Sequence, residues 1–238
     1  MRSVIADHQI FLGEDIPIDR TPILIHQPTI SEIWRQGEDV YFSAVDALTA
    51  IPSDAKAPLA DIGINYMEIS DFDFFMLMAK GIKTERITSL ITGFDFDSAA
   101  PKIHRETKEP VLVDKNNSII DRYIRHQISE TLCKLHGFKK TPEIAANEFT
   151  LEFLIDEDRE RRAFKAMEEK KSALLPIVTC IAVRFCSLDV VLNMTYYQAR
   201  EIMRRIQMYD RSMTLLQGIY AGNVDAKKIN KKELDWTR

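Results

Sequence analysis

A chain of 238 residues with 45% hydrophobic composition is long enough to bury a real core, which excludes a disordered segment. Its three cysteines, Cys133, Cys180 and Cys186, are odd in number and lack a disulfide-framework spacing, which suits a reducing compartment and predicts the cytoplasm. The net charge of -4 is uneven: residues 1–100 carry 7 Lys/Arg against 16 Asp/Glu, 101–140 carry 9 against 5, and 141–238 carry 16 against 15, so the acidic front argues against nucleic acid.

Met1–Gln9 has one arginine and no apolar run, which predicts no secretory signal. The run His8–Ile18 and then Pro22–Gln27 are β-rich, punctuated by Gly13, Pro17 and Pro22, and predict a small N-terminal hairpin. Thr29-Ile-Ser-Glu32 has capping-box spacing and should start a helix. Tyr41, Phe42, Val45 and Leu48 recur at helical spacing, and Ser70 is a cap before Phe72, Phe75, Met76 and Met78. From Ile91 to Ile120 the pattern changes. Phe94 and Phe96 alternate with Asp95 and Asp97, and Val111–Val113 and Ser118–Ile120 flank a turn at Lys115-Asn-Asn117, which predicts a second hairpin, open to pairing with the first.

The remainder reads as helices: Asp121–His136 stopped by Gly137, Glu148–Lys170, Ser172–Phe185 and Tyr196–Tyr220. The apolar run Leu174–Val183 is far shorter than the roughly 20 residues a membrane span needs. Thr195-Tyr-Tyr-Gln198 is another capping box, and Gly222 suits the turn after the last helix, whose Ile202, Ile206, Tyr209, Met213 and Leu216 form one apolar stripe. The fold class is therefore α+β and predominantly α-helical, with small β-hairpins in the N-terminal region 1–140 and a helical C-terminal region 141–238.

No constellation reads as a catalytic or cofactor site. Cys133 and His136 have ligand-like spacing with His126 nearby, but a closed zinc site wants four ligands and no second pair follows; the expectation is a packed cysteine beside a helix-terminal histidine. Cys180 and Cys186 read as core. The cluster Asp156–Glu160 with Arg161 and Arg162 reads as a solvated helix face with Glu157–Arg161 and Asp158–Arg162 pairs. Glycine-rich phosphate cradles are absent from the sequence, and Arg200, Arg204, Arg205 and Arg211 mingle with Glu201 and Asp210 without a stacking platform. What remains is apolar surface, at Phe72–Met78 and at Tyr196, Tyr197, Met203, Met208 and Met213, which is either core or an adaptable surface for a partner.

The closing stretch Gly218–Trp236 is patterned where most C-termini are polar. Asn230 and Glu233 predict a cap for a last turn carrying Leu234 and Trp236, which docks either on its own core or on a partner.

Three segments, Ile25-His-Gln-Pro-Thr-Ile-Ser-Glu-Ile33, Lys134-Leu-His-Gly-Phe138 and Lys227-Lys-Ile-Asn-Lys-Lys-Glu-Leu-Asp-Trp236, resemble tail-region proteins of tailed bacteriophages from Gram-positive hosts, described as tail assembly chaperones. The resemblance implies a non-enzymatic factor of the host cytoplasm. Such a factor binds the long helical tape-measure protein, shields its apolar surface and yields to the tail-tube protein. It carries over no catalytic residues and no cofactor. A structural tail or baseplate component of the virion is the alternative. The expected interaction residues are Leu234, Trp236, Tyr196, Tyr197 and Met203.

Overall fold

The computed structural model describes residues 7–169, 171–184, 187–230, 232 and 234–237. It opens with helix α1 (Asp7–Leu12), which corrects the strand expected from His8. Ile10 is wholly buried, and Gly13, at φ 76, ends the turn by donating its N–H to the Ile10 carbonyl at 3.1 Å. The hairpin itself follows as β1 (Ile16–Pro17) and β2 (Leu24–Ile25), antiparallel with Ile16 opposite Ile25.

Thr29 caps α2 (Ile30–Gln36) with both halves of the capping box formed. Helix α3 (Glu38–Thr49) buries Tyr41, Val45 and Leu48 on one face. A 3-10 turn at Pro52–Ala55 leads into α4 (Lys56–Asp61), and Ser70 accepts the Asp73 N–H to cap α5 (Asp71–Ala79), whose Phe72, Phe74 and Phe75 are buried. After α6 (Thr84–Ile87), strand β3 (Ile91–Thr92) joins the first sheet beside β2.

The second hairpin forms a separate sheet in the order β4 (Ala100–Ile103), β5 (Pro110–Val113), β6 (Ile119–Ile120). Phe94 and Phe96 are both buried as their alternation predicts, but residues 96–98 turn as a 3-10 helix because Asp95 accepts the Asp97 N–H.

The rest is helical: α7 (Arg122–His136), α8 (Glu148–Met167), α9 (Leu174–Arg184), α10 (Leu188–Leu192) and α11 (Tyr196–Tyr220). With 58% helix against strands of two to four residues, the fold is α+β and predominantly helical. One main core joins Ile23, Ile25 and Ile33 of the front to Ile128 and Leu132 of α7, Val178 and Ile181 of α9, and Ile206 of α11.

Asp158 departs from the solvated face expected for its cluster. Its side chain is 1% exposed and packs toward α4, accepting from the Ala57 N–H at 3.1 Å, Arg162 Nε at 2.9 Å and Arg161 Nη2 at 2.6 Å. Burial pushes its carboxyl up, and those three donors together outweigh it and hold it below the usual carboxylate range. Arg161 thus goes to Asp158 instead of Glu157.

At the centre, His136 Nδ1 lies 2.8 Å from the Leu132 carbonyl and its Nε2 lies 2.9 Å from the Tyr41 hydroxyl. A carbonyl only accepts, so Nδ1 carries the proton and Nε2 accepts from Tyr41. Burial raises Tyr41 well above its usual range and so keeps that donor protonated. Burial also pushes His136 from 6.5 down to about 4, with the Arg200 guanidinium adding to the shift and the Leu132 carbonyl opposing it.

The unfolded chain therefore takes up a proton below pH 6.5 that the native chain refuses until about 4. Native stability from this group is complete above pH 6.5, falls as pH drops toward 4, and loses on the order of 3 kcal/mol across that window. Urea midpoints measured at pH 7.5, 5.5 and 4.5 should show the decline, and His136→Gln should flatten it relative to wild type.

Candidate functional site

Helix α11 is the scaffold of the site. Its first turn is fixed by Thr195, which accepts the Gln198 N–H at 3.2 Å while Gln198 Oε1 accepts the Thr195 N–H at 2.8 Å. The amide end of the same Gln198 donates to the Phe11 carbonyl at 2.7 Å, so one side chain both caps α11 and holds α1 against it.

Between the two helices lies an open groove of about 930 Å³. Phe11 and His8 form one wall, while Tyr197, Ile202, Ile206 and Tyr209 form the floor and the other wall. Phe11 is 46% exposed and Tyr209 42%, whereas Ile206 beneath them is buried. The size and apolar lining are those of a binding cleft.

The polar side of the groove is ordered by Glu201. Arg204 donates to it through Nε at 2.8 Å and Nη2 at 2.6 Å, and Arg205 through Nε at 3.0 Å. Arg204's hydrogen bonds, with Arg205 behind them, outweigh partial burial and hold the Glu201 carboxyl below its usual range. This arrangement sets guanidinium donors beside apolar surface, which offers a ligand shape and charge.

The C-terminal stretch borders the groove. After α11 the chain turns at Gly222, at φ 73, and Val224 packs so close to Gly218 that a Cβ there would stand 2.7 Å from its Cγ2. Returning along α11, it places the Leu234 carbonyl on Ser212 Oγ at 2.8 Å and the Trp236 carbonyl near Arg205 Nη1 at 3.3 Å. The Trp236 ring meets Tyr209 edge-on at 5.5 Å and remains 44% exposed. Trp236 therefore packs on its own chain and still faces the groove. Asn230 Oδ1 accepts the Lys232 N–H at 3.0 Å, while Glu233, the far end of the expected cap, lies outside the described residues, as does Cys186.

Of the five residues expected to bind a partner, Tyr197 and Trp236 line the groove, and half-buried Leu234 fastens the stretch that carries Trp236. Tyr196 points inward, stacked on His136 at 5.3 Å and edge-on to Phe42 at 5.5 Å. Met203 is half-buried and is not among the groove-lining residues. Phe11 and His8 were not legible as site residues, because the same apolar run reads as a strand. Of the histidines near Cys133, His136 engages both ring nitrogens with Tyr41 and Leu132, and His126 is exposed beside Glu130 at 3.3 Å.

Residues 169–238, which contain α9, α10, α11 and the C-terminal stretch, match the family model described as YomV second domain. That family is phage-derived, and the match supports a bacteriophage protein. No curated protein and no solved structure matches the chain.

The two kinds of groove contact separate energetically. Removing residues 229–238 should leave the far-UV circular dichroism of the remainder intact and lower stability by about 1–2 kcal/mol, the scale of the Tyr209–Trp236 ring contact and the hydrogen bonds from Ser212 and Arg205. Ile206→Ala, which empties buried space beneath the groove, should cost about 2–5 kcal/mol. Urea unfolding of both variants checks the ranking.

Proposed function

We propose that this is a non-enzymatic phage tail assembly factor that binds the tape-measure protein in the host cytoplasm and promotes tail-tube assembly. The observation that carries this reading is the open groove between α1 and α11, with aromatic walls and Trp236 exposed at its edge. Grooves of this kind take the apolar face of an amphipathic helix, and the bacteriophage proteins that the sequence resembles act on a long helical protein. Tyr209 and Trp236 are the anchors, and the Arg204 and Arg205 guanidiniums beside Glu201 set the polar rim.

A structural tail or baseplate component is the second reading. It draws on a different surface: Leu175 and Val183 of α9 and Leu188 and Val190 of α10 are 52%, 86%, 52% and 50% exposed, an apolar area suited to a permanent neighbour.

Mass spectrometry of purified particles separates the two, since an assembly factor is absent from them and a subunit is present in stoichiometric copies. On coexpression, the tape-measure protein should coelute with wild type, and Phe11→Asp with Tyr209→Asp should weaken that capture at least tenfold while leaving the circular dichroism unchanged. Stoichiometric copies in the particle, or capture that survives both substitutions, would overturn the groove-binding factor.

A further inference from the structure

Helix α8 has two faces of opposite character. Leu154 and Asp158 are buried against the body, and α4 is the element packed on that side. On the other face Phe149, Phe153, Asp156, Glu160, Ala163 and Met167 follow one another at intervals of four, three, four, three and four residues, the spacing of a coiled-coil seam. Every one of them is exposed, with Phe149 at 79%, Phe153 at 61% and Met167 at 85%, and Phe164 flanks the seam at 74%. From Arg159 to Met167 every residue of the helix is exposed, over more than two turns, with Arg159 reaching Asp61 and Arg162 the Asp54 carbonyl near its start. Isolated helices of that length are marginal in water.

The middle of the seam says what fits it. Asp156 and Glu160 occupy two successive seam positions, with Glu157 exposed beside them. The nearest cations do not neutralise Glu160 from behind: Arg161 and Arg162 both turn to Asp158 on the opposite face, and Arg159 is shared between Asp156 at 2.8 Å and Asp61 at 2.7 Å.

A second copy of this chain meets a clash of charge in either direction. Parallel, Asp156 faces Asp156 and Glu160 faces Glu160. Antiparallel, the seam is palindromic, so Phe149 meets Met167 and Phe153 meets Ala163, but Asp156 meets Glu160 twice. Like charges at seam positions reject such pairings, while a helix with cations at the matching positions gains from both halves of the pattern.

We infer that the outer face of α8 is a second docking surface, distinct from the α1–α11 groove, that pairs with a helix from another protein whose seam runs apolar, basic, apolar. The inference does not depend on the tape-measure reading of the groove.

Two synthetic helical peptides of three heptads test it, one with leucines flanking two central seam lysines and one identical except for glutamates in place of the lysines. By fluorescence anisotropy with the full-length protein, the lysine peptide should bind wild type at least tenfold more tightly than the glutamate peptide. Asp156→Lys with Glu160→Lys should reverse that preference, Phe153→Ser should weaken both, and Phe11→Asp in the groove should change neither. Equal binding of the two peptides, or an unreversed preference in the double lysine variant, overturns the proposal. So does a dimer in sedimentation that Phe153→Ser abolishes, which makes the occupant a second copy, or binding to phosphatidylglycerol vesicles that Phe164→Ser abolishes, which makes it a lipid surface.

Discussion

Two threonines far apart in the chain set the geometry of this protein. Thr29 and Thr195 each begin a helix with a complete capping box, and the two are joined to each other by an isolated antiparallel bridge. A helix N-terminus leaves unpaired N–H groups, and here the pairing is shared: the Ile30 N–H, one of those left over at the start of α2, goes to the Met194 carbonyl just before α11 at 2.9 Å. The starts of α2 and α11 are thereby fixed against one another, which couples the sheet-bearing front of the molecule to the helical back. Gly13 sits against the same junction, where a Cβ would stand 3.0 Å from Thr195 Cγ2, so α1 enters the groove at a set height.

The next turn of α11 divides inside from outside. Tyr196 turns in to His136 and Phe42, and Tyr197 turns out to the groove. Arg200, one turn further, spans the two regions: its guanidinium lies 5.4 Å from the Tyr197 ring and occupies the space above Gly137, where a Cβ would come within 1.8 Å of Nη1. Gly137 is at φ 70, the left-handed residue that ends α7, so its backbone conformation and its missing side chain are both used. The same guanidinium helps depress His136, which makes the buried Tyr41–His136 pair and the outer wall of the groove neighbours in one electrostatic environment.

Local signals were legible in the sequence wherever the cause was local. The Thr195–Gln198 spacing and the glycine after Tyr220 bound α11, and Asp121 and Gly137 bound α7, because caps and turn residues act within a few positions. The hairpin around Lys115–Asn117 follows from the same kind of evidence. What sequence reasoning missed has distant causes. Ile10-Phe11-Leu12 carries too little length to show a helical period, and its helix is held by Gln198. Asp158 looks like one more surface acid until α4 supplies a backbone N–H that needs an acceptor. Tyr196 and Tyr197 are chemically alike and adjacent, and only packing assigns one to the core and the other to the site.

Trp236 gives the open groove a wall of a different kind from its floor. Its ring is 44% exposed and meets Tyr209 edge-on, and its carbonyl takes a long hydrogen bond from Arg205, whose Nε is committed to Glu201. Contacts of this kind are weak individually, and segments held by few buried groups sit at the low end of a protein's local stability. The floor beneath it is different in kind, since Ile206 belongs to the core and cannot shift without opening it. On the proposed reading, a partner helix would meet a core-anchored floor and one wall held by partly exposed contacts. Such a combination would suit the proposed role, in which the site accepts successive stretches of an extended helical partner, because only the wall would have to adjust as each new side chain arrives.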